Sequence, residues 1–166
     1  MMSFGDNQTG FMAGEWVKQN AATFRNSPWI EALNETLRCE LAAVEIYCLL
    51  LKSAQFDASE FADEHAAGAR KIAVLVIAQR GIPADRPAPV MAGFNKAILQ
   101  FCKLMPDTIN RRFTYSRLAG LEKQFCLMYA ILASRAPNDA REIIDQLGTK
   151  AADRQLFLTS ASNFSF

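Results

Sequence analysis

The chain has 166 residues, enough for one domain with a substantial core, and 51% of them are apolar, which excludes disorder for most of its length. Its 18 basic and 17 acidic residues give a net charge of +1, so the charge balance does not indicate a protein that binds nucleic acid or an anionic membrane surface. No uncharged run approaches the roughly 18 residues of a membrane span, and the start of the chain lacks a signal-peptide pattern, so we expect a cytoplasmic protein.

Helical patterns follow one another along the chain, and strand patterns are nearly absent. Residues 1–26 are predicted to form a lead-in with a short helix. The first long helix is predicted to begin at Ser27, an N-cap residue, followed by Pro28 at the first helical position. Its inward positions are spaced three and four residues apart, as is typical of a helix in a bundle. They are Ile30, Leu33, Leu37, Glu40, Val44, Tyr47 and Leu51.

The second long helix is predicted to begin at Asp57, which forms a capping box with Glu60. It is predicted to end near residue 80, where a Gly-Ile-Pro sequence follows. Its apolar face includes His65, the single histidine of the chain. Gly68 falls on the same face, which predicts that another helix approaches closely there.

A proline-rich crossover with a short helix over residues 91–105 is predicted to lead into the third long helix, residues 108–134. The inward positions of this helix repeat the same spacing, with Glu122 and Tyr129 among them. The fourth long helix is predicted to be capped by Asp139 and Glu142 and to run to about Leu158. The bundle would then span residues 27–160, followed by a tail at residues 161–166.

Two of the predicted helices carry a glutamate seven residues before a tyrosine on an apolar face. The pairs are Glu40 with Tyr47 and Glu122 with Tyr129, an offset of 82 residues that suggests a weak internal repeat. A glutamate is rarely buried without a partner. These two positions therefore predict a carboxylate site inside the bundle.

The chain resembles the ferritin-like superfamily, and within it the uncharacterised bacterial domains that have a short first hairpin. The resemblance covers about residues 27–160. It rests on Leu33, Asn34, Glu40, Tyr47, Phe61, His65, residues 80–83, Glu122 and Tyr129. It implies an all-α, ferritin-like four-helix bundle, in which two antiparallel helical hairpins are joined by a crossover that contains a short helix.

The same resemblance implies a buried site for one or two iron or manganese ions. In ferritin-like di-metal proteins, two helices each supply a glutamate and the other two each supply a Glu-x-x-His motif. In this chain, Ala62 stands three residues before His65, and the fourth helix has no histidine. The reduced ligand set would be Glu40, His65 and Glu122, with Asp145 or Asp153 as additional candidates.

The two glutamates also admit an interpretation without a metal. They would pair with arginines, of which Arg38, Arg117 and Arg154 are available, or accept hydrogen bonds from tyrosine hydroxyls across the bundle. Distances along the first two helices predict that His65 lies nearer Tyr47 than Glu40.

Three functions are compatible with these features. The first is a ferritin-like protein that binds metal through its inward carboxylates. The second is a metal-free ferritin-like module with a structural or stress-associated interaction role. The third is a bundle with an apolar pocket for a small ligand, suggested by 12 phenylalanines and 6 methionines. We expect a homodimer in each case, and no reaction or substrate is predicted.

Overall fold

The computed structural model of the protein describes residues 27–51, 59–89, 93, 96–97, 100 and 107–164. Within these ranges the regular structure is entirely helical, which confirms the all-α class. The long helices are α1 (Pro28–Leu51), α2 (Ser59–Ala78), α3 (Asp107–Arg135) and α4 (Asn138–Phe164). The predicted lead-in, the Asp57 cap and most of the predicted crossover helix lie outside the described residues. None of the described helices is both long and apolar enough to cross a membrane.

The helices form two hairpins, α1 with α2 and α3 with α4, which then pack against each other. Neighbouring helices are antiparallel, as the contacts between them show. Tyr47 near the end of α1 meets Phe61 near the start of α2. Between α1 and α3, Tyr47 reaches Glu122, whereas the earlier Glu40 is reached by the later Tyr129. The four helices therefore run up, down, down and up, an order that requires the long crossover between α2 and α3.

The start of α1 and the core positions agree with the sequence prediction. The backbone carbonyl of Ser27 accepts a hydrogen bond from the Glu31 amide, which places Ser27 at the N-cap. The predicted inward positions of α1 are buried, apart from the half-buried Val44 and from Leu51, whose burial is not described. The predicted end of α4 was wrong, because the helix continues to Phe164. No glycine or proline follows Leu158 to stop it, and the hydroxyls of Thr159 and Ser162 bond to backbone carbonyls within the helix.

The end of α2 is closed by a pair of backbone hydrogen bonds. The Gly81 amide donates to the Val76 carbonyl at 2.8 Å, and the Arg80 amide donates to the Ile77 carbonyl at 2.8 Å. This is the Schellman pattern, in which the residue after the helix adopts a left-handed conformation. That residue is Arg80, with a φ of 60°, and not the glycine that the sequence predicted as the stop. Gly81 is needed for space, since a Cβ there would lie 2.8 Å from Cγ2 of Ile30.

Replacing Arg80 by glycine is expected to stabilise the protein by about 1 kcal/mol, because glycine adopts a positive φ without the Cβ clash that arginine incurs. Arg80 is exposed, so the change removes no core contact. Urea unfolding of the two proteins measures the difference. The matched change Gly81→Ala should destabilise, and a loss of stability in Arg80→Gly would contradict the assignment of strain to Arg80.

Candidate functional site

Side chains from all four helices meet at the middle of the bundle and form what we call the polar cluster. Its members are Glu40 and Tyr47 of α1, His65 of α2, Glu122 and Tyr129 of α3, and Arg154 of α4. All six residues are at most 4% exposed. The structure therefore brings together the three residues predicted from the sequence as metal ligands, Glu40, His65 and Glu122. Their role as ligands stays a prediction.

His65 bridges the two buried glutamates. Its Nδ1 lies 2.7 Å from Oε2 of Glu40, and its Nε2 lies 2.9 Å from Oε1 of Glu122. The sequence predicted that His65 lies nearer Tyr47 than Glu40, and in the structure the histidine contacts both residues. Its ring stacks on Tyr47 at 5.2 Å between centroids while Nδ1 reaches the carboxylate.

The two tyrosines cross-link the hairpins. The Tyr47 hydroxyl of the first hairpin donates to Oε1 of Glu122 at 2.7 Å, and the Tyr129 hydroxyl of the second donates to Oε1 of Glu40. The repeated Glu-x6-Tyr spacing explains this arrangement. Because α1 and α3 are antiparallel, the glutamate of each helix faces the tyrosine of the other. Each hairpin therefore supplies one hydrogen-bond acceptor and one donor.

Arg154 completes the cluster from α4. Its Nε donates to Oε2 of Glu122 at 2.9 Å, and its Nη1 donates to Oε2 of Glu64 at 3.0 Å. Glu64 also binds Lys150 at 3.2 Å, near the surface. The sequence had indicated Arg154 only as one of three available arginines. Glu64 itself is half-buried, with 26% of its side chain exposed, and its carboxylate forms both of these ion pairs.

The charges of the four ionisable groups at the centre balance when His65 is protonated. Burial alone would lower the pKa of His65, but its hydrogen bonds to Glu122 and Glu40 raise that pKa above the usual value. Burial likewise acts to raise the pKa of Glu122, whereas His65, Arg154 and Tyr47 hold it below its usual value. Two carboxylates then face one imidazolium and one guanidinium.

Both tyrosine hydroxyls of the cluster have raised pKa values. Burial, followed by the charge and hydrogen bond of Glu122, raises the pKa of Tyr47 well above its ordinary value. Burial and Glu40 have the same effect on Tyr129. Both tyrosines are therefore hydrogen-bond donors at neutral pH, each to one of the two buried glutamates.

Apolar and small residues enclose the cluster. The Phe125 ring lies 4.9 Å from the His65 ring and 6.3 Å from the Tyr129 ring, so it closes one side to water. Gly68 faces Glu40, as a Cβ at that position would lie 3.2 Å from the carboxyl carbon. What lies close to Gly68 is a side chain of α1 and not a helix backbone, so the glycine leaves room for the carboxylate of Glu40.

The arrangement does not suit a metal ion as it stands. Each oxygen of Glu40 and Glu122 already accepts a hydrogen bond from a tyrosine, from His65 or from Arg154. The two nitrogens of His65 point to different carboxylates, so the three candidate ligands do not converge on one point. Among the residues that the structure describes, no group of three or more His, Cys, Asp or Glu side chains is placed to hold a metal. Asp145 and Asp153 are exposed on α4.

The protonation of His65 should make stability depend on pH. Because its folded-state pKa is raised above the ordinary 6.5, its contribution is fully present below about pH 6.5 and is lost as the pH rises through the raised value. Glu122 behaves in the opposite way, and its contribution is lost as the pH falls below about 4.5 and through its lowered pKa. We therefore expect the free energy of unfolding to decline on both sides of a maximum between these limits.

Urea unfolding between pH 4 and pH 9 measures this profile, with His65→Gln as the matched variant. The decline on the alkaline side should disappear in His65→Gln. An equal alkaline decline in both proteins would show that His65 is neutral in the folded state.

Comparison of the chain with models of known protein families, with curated proteins and with solved structures found no match in any of the three.

Proposed function

We propose that this protein is a ferritin-like helical-bundle module that works without a bound metal, with a structural or interaction role. In this proposal the polar cluster fixes how the two hairpins pair. The observation that carries it is the saturation of Glu40 and Glu122, because every carboxylate oxygen already has a donor within the cluster. Buried polar groups that satisfy each other can specify one register among several apolar alternatives.

The ferritin-like part of the proposal is supported by the order and content of the helices. An up, down, down, up bundle with a long central crossover is the arrangement of ferritin-like folds. The positions of Glu40 and Glu122 at mid-bundle, on α1 and α3, are those at which such folds place carboxylates. Arg154 is the residue that α4 contributes to the polar cluster, and its guanidinium supplies a positive charge beside Glu122.

A second candidate function is metal binding by exchange with protons. It is favoured by the contact of His65 with both Glu40 and Glu122, the three residues coming from three helices, since nitrogen and carboxylate ligands suit iron or manganese. A divalent ion would have to displace the proton of His65 and move Arg154 away from Glu122. Metal uptake should then be weak at neutral pH and release protons.

Metal content separates the two candidates. The protein would be expressed without a histidine tag in medium supplemented with iron and manganese, and metal per chain would be measured after purification. We expect less than about one tenth of an equivalent, and no rise in Tm on adding either ion. One equivalent or more, lost together in Glu40→Ala and Glu122→Ala, would overturn the metal-free function and establish the second candidate.

A further inference from the structure

The outer face of α3 carries a second apolar seam, opposite the buried one. Large apolar side chains are exposed along it, with Ile109 at 57%, Phe113 at 38%, Leu127 at 58% and Ile131 at 55%. Between them lie Ser116, Gly120 and Gln124, all exposed. The steps between neighbours are three or four residues, so these seven positions share one face of the helix. We call them the outer seam.

The outer seam is symmetric about Gly120. Ile109 and Ile131 stand eleven residues before and after it, Phe113 and Leu127 stand seven, and Ser116 and Gln124 stand four. Each apolar position thus has an apolar counterpart at the same distance on the other side. A Cβ built on Gly120 would meet no atom within 4 Å in the described part of the chain, so the centre of the seam is open.

We propose that the outer seam is the interface of a homodimer, in which α3 packs antiparallel on α3 of a second copy and the two-fold axis passes at Gly120. A two-fold interface brings position i onto position j and j onto i. Here it places Ile109 against Ile131 of the second copy and Phe113 against Leu127 of the second copy. The glycine lets the helices approach at the crossing. This interface does not depend on the polar cluster, which lies on the opposite face of α3.

The area of the seam corresponds to a weak dimer. At about 150–250 Å² per large side chain, the exposed fractions of the four apolar residues amount to roughly 400 Å² per copy. Two copies contribute roughly 800 Å², and the flanking side chains bring the total toward the 1,200 Å² at which stable interfaces begin. From Ile109 to Ile131 the seam is about 33 Å long, or six helical turns. This apolar area lies within the range of the largest patch on a typical monomer, and such patches are often functional.

The charges beside the outer seam give a homodimer and a complex with an acidic partner opposite salt dependences. Arg117 and Lys123 flank it, and the exposed surface of α3 beyond Asp107 carries no carboxylate, since Glu122 is buried. In the antiparallel dimer, Arg117 of one copy lies on the same side as Arg117 of the other. The dimer should therefore tighten as salt screens this repulsion. An acidic helix bound at the same face would instead dissociate in salt.

Sedimentation equilibrium of the full chain tests the proposal, with Leu127→Glu as the disrupting variant and Leu156→Glu as its control. Leu156 is 69% exposed on α4, outside the seam. We expect a dimer at about 100 µM, at least tenfold weaker in Leu127→Glu, unchanged in Leu156→Glu, and tighter when salt rises from about 0.05 M to about 0.5 M. Circular dichroism of each variant confirms that it is folded.

A second pair of variants tests the antiparallel geometry. The two-fold places Gln124 of one copy beside Arg117 of the other, so Gln124→Glu should tighten the dimer and Gln124→Lys should weaken it, each by about threefold to tenfold. A folded wild-type chain that stays monomeric at every salt concentration would overturn the proposal. So would a dimer that Leu127→Glu leaves intact, or one that responds to the two Gln124 variants in the opposite sense.

Discussion

Replacing Glu122 by glutamine is expected to destabilise the fold by roughly 3–5 kcal/mol, the range for removing one partner of a buried ion pair. Glu122 is fully buried and accepts hydrogen bonds from Tyr47, His65 and Arg154. Glutamine keeps the shape of the side chain but removes the charge and turns an NH2 group toward one of these donors. The guanidinium of Arg154 then keeps only Glu64 as a charged partner, and the imidazolium of His65 keeps only Glu40.

Urea unfolding at pH 6.5 measures this loss, and Glu45→Gln is the matched control. Glu45 is also ion-paired, with Lys96, but 40% of its side chain is exposed. Solvent screens such a pair, so the control should change stability by less than about 1 kcal/mol. If Glu122→Gln matched the control, the cluster would not hold two ionised carboxylates.

Replacing Arg154 by methionine is expected to destabilise the protein by about 3 kcal/mol or more, although methionine fills a similar volume. The change removes the cation that neutralises Glu122, whose remaining partners are Tyr47 and His65. It also takes one of two cations from Glu64. The cluster is left with two carboxylates and one imidazolium, and a net negative charge in a buried site is unfavourable.

Lys150→Met is the control for this change, because Lys150 binds Glu64 but does not reach Glu122. Its side chain is 49% exposed, so its loss should change stability by less than about 1 kcal/mol. Arg154→Met also allows a direct comparison of the two candidate functions. If Arg154 occupies a site that once held a metal, the variant should be stabilised by added Mn²⁺ more than the wild type is, whereas an equal response would assign Arg154 a purely structural role.

The repeated Glu-x6-Tyr spacing was sufficient to predict much of the site. It placed Glu40, Tyr47, Glu122 and Tyr129 on inward faces, and all four are buried. The inward position of His65 followed from the apolar face of α2. The spacing of apolar residues predicts well which face of a helix is buried, because the apolar residues that share a face must be buried together.

The partners of these residues could not be predicted from the sequence in the same way. The sequence did not show which arginine pairs with the buried glutamates. The pairing of Arg154 with Glu122 depends on how α3 and α4 pack, which the spacing along one helix does not give. The orientation of the His65 ring, with one nitrogen toward each glutamate, depends on the packing of Tyr47 and Phe125 around it. The end of α2 was placed close to its true position, but Gly81 was predicted to stop the helix, since nothing in the sequence signals a positive φ at Arg80.

The crossed bonds between tyrosines and glutamates have a consequence for how the protein folds. Tyr47 donates a hydrogen bond to the glutamate of the second hairpin, and Tyr129 donates one to the glutamate of the first. Each hairpin therefore depends on the other for a hydroxyl donor. If one hairpin kept its native packing without the other, its buried glutamate would lack the tyrosine hydroxyl that donates to it. The two halves are therefore obligate complements, and the chain should unfold as one cooperative unit, with no intermediate in which a single hairpin survives.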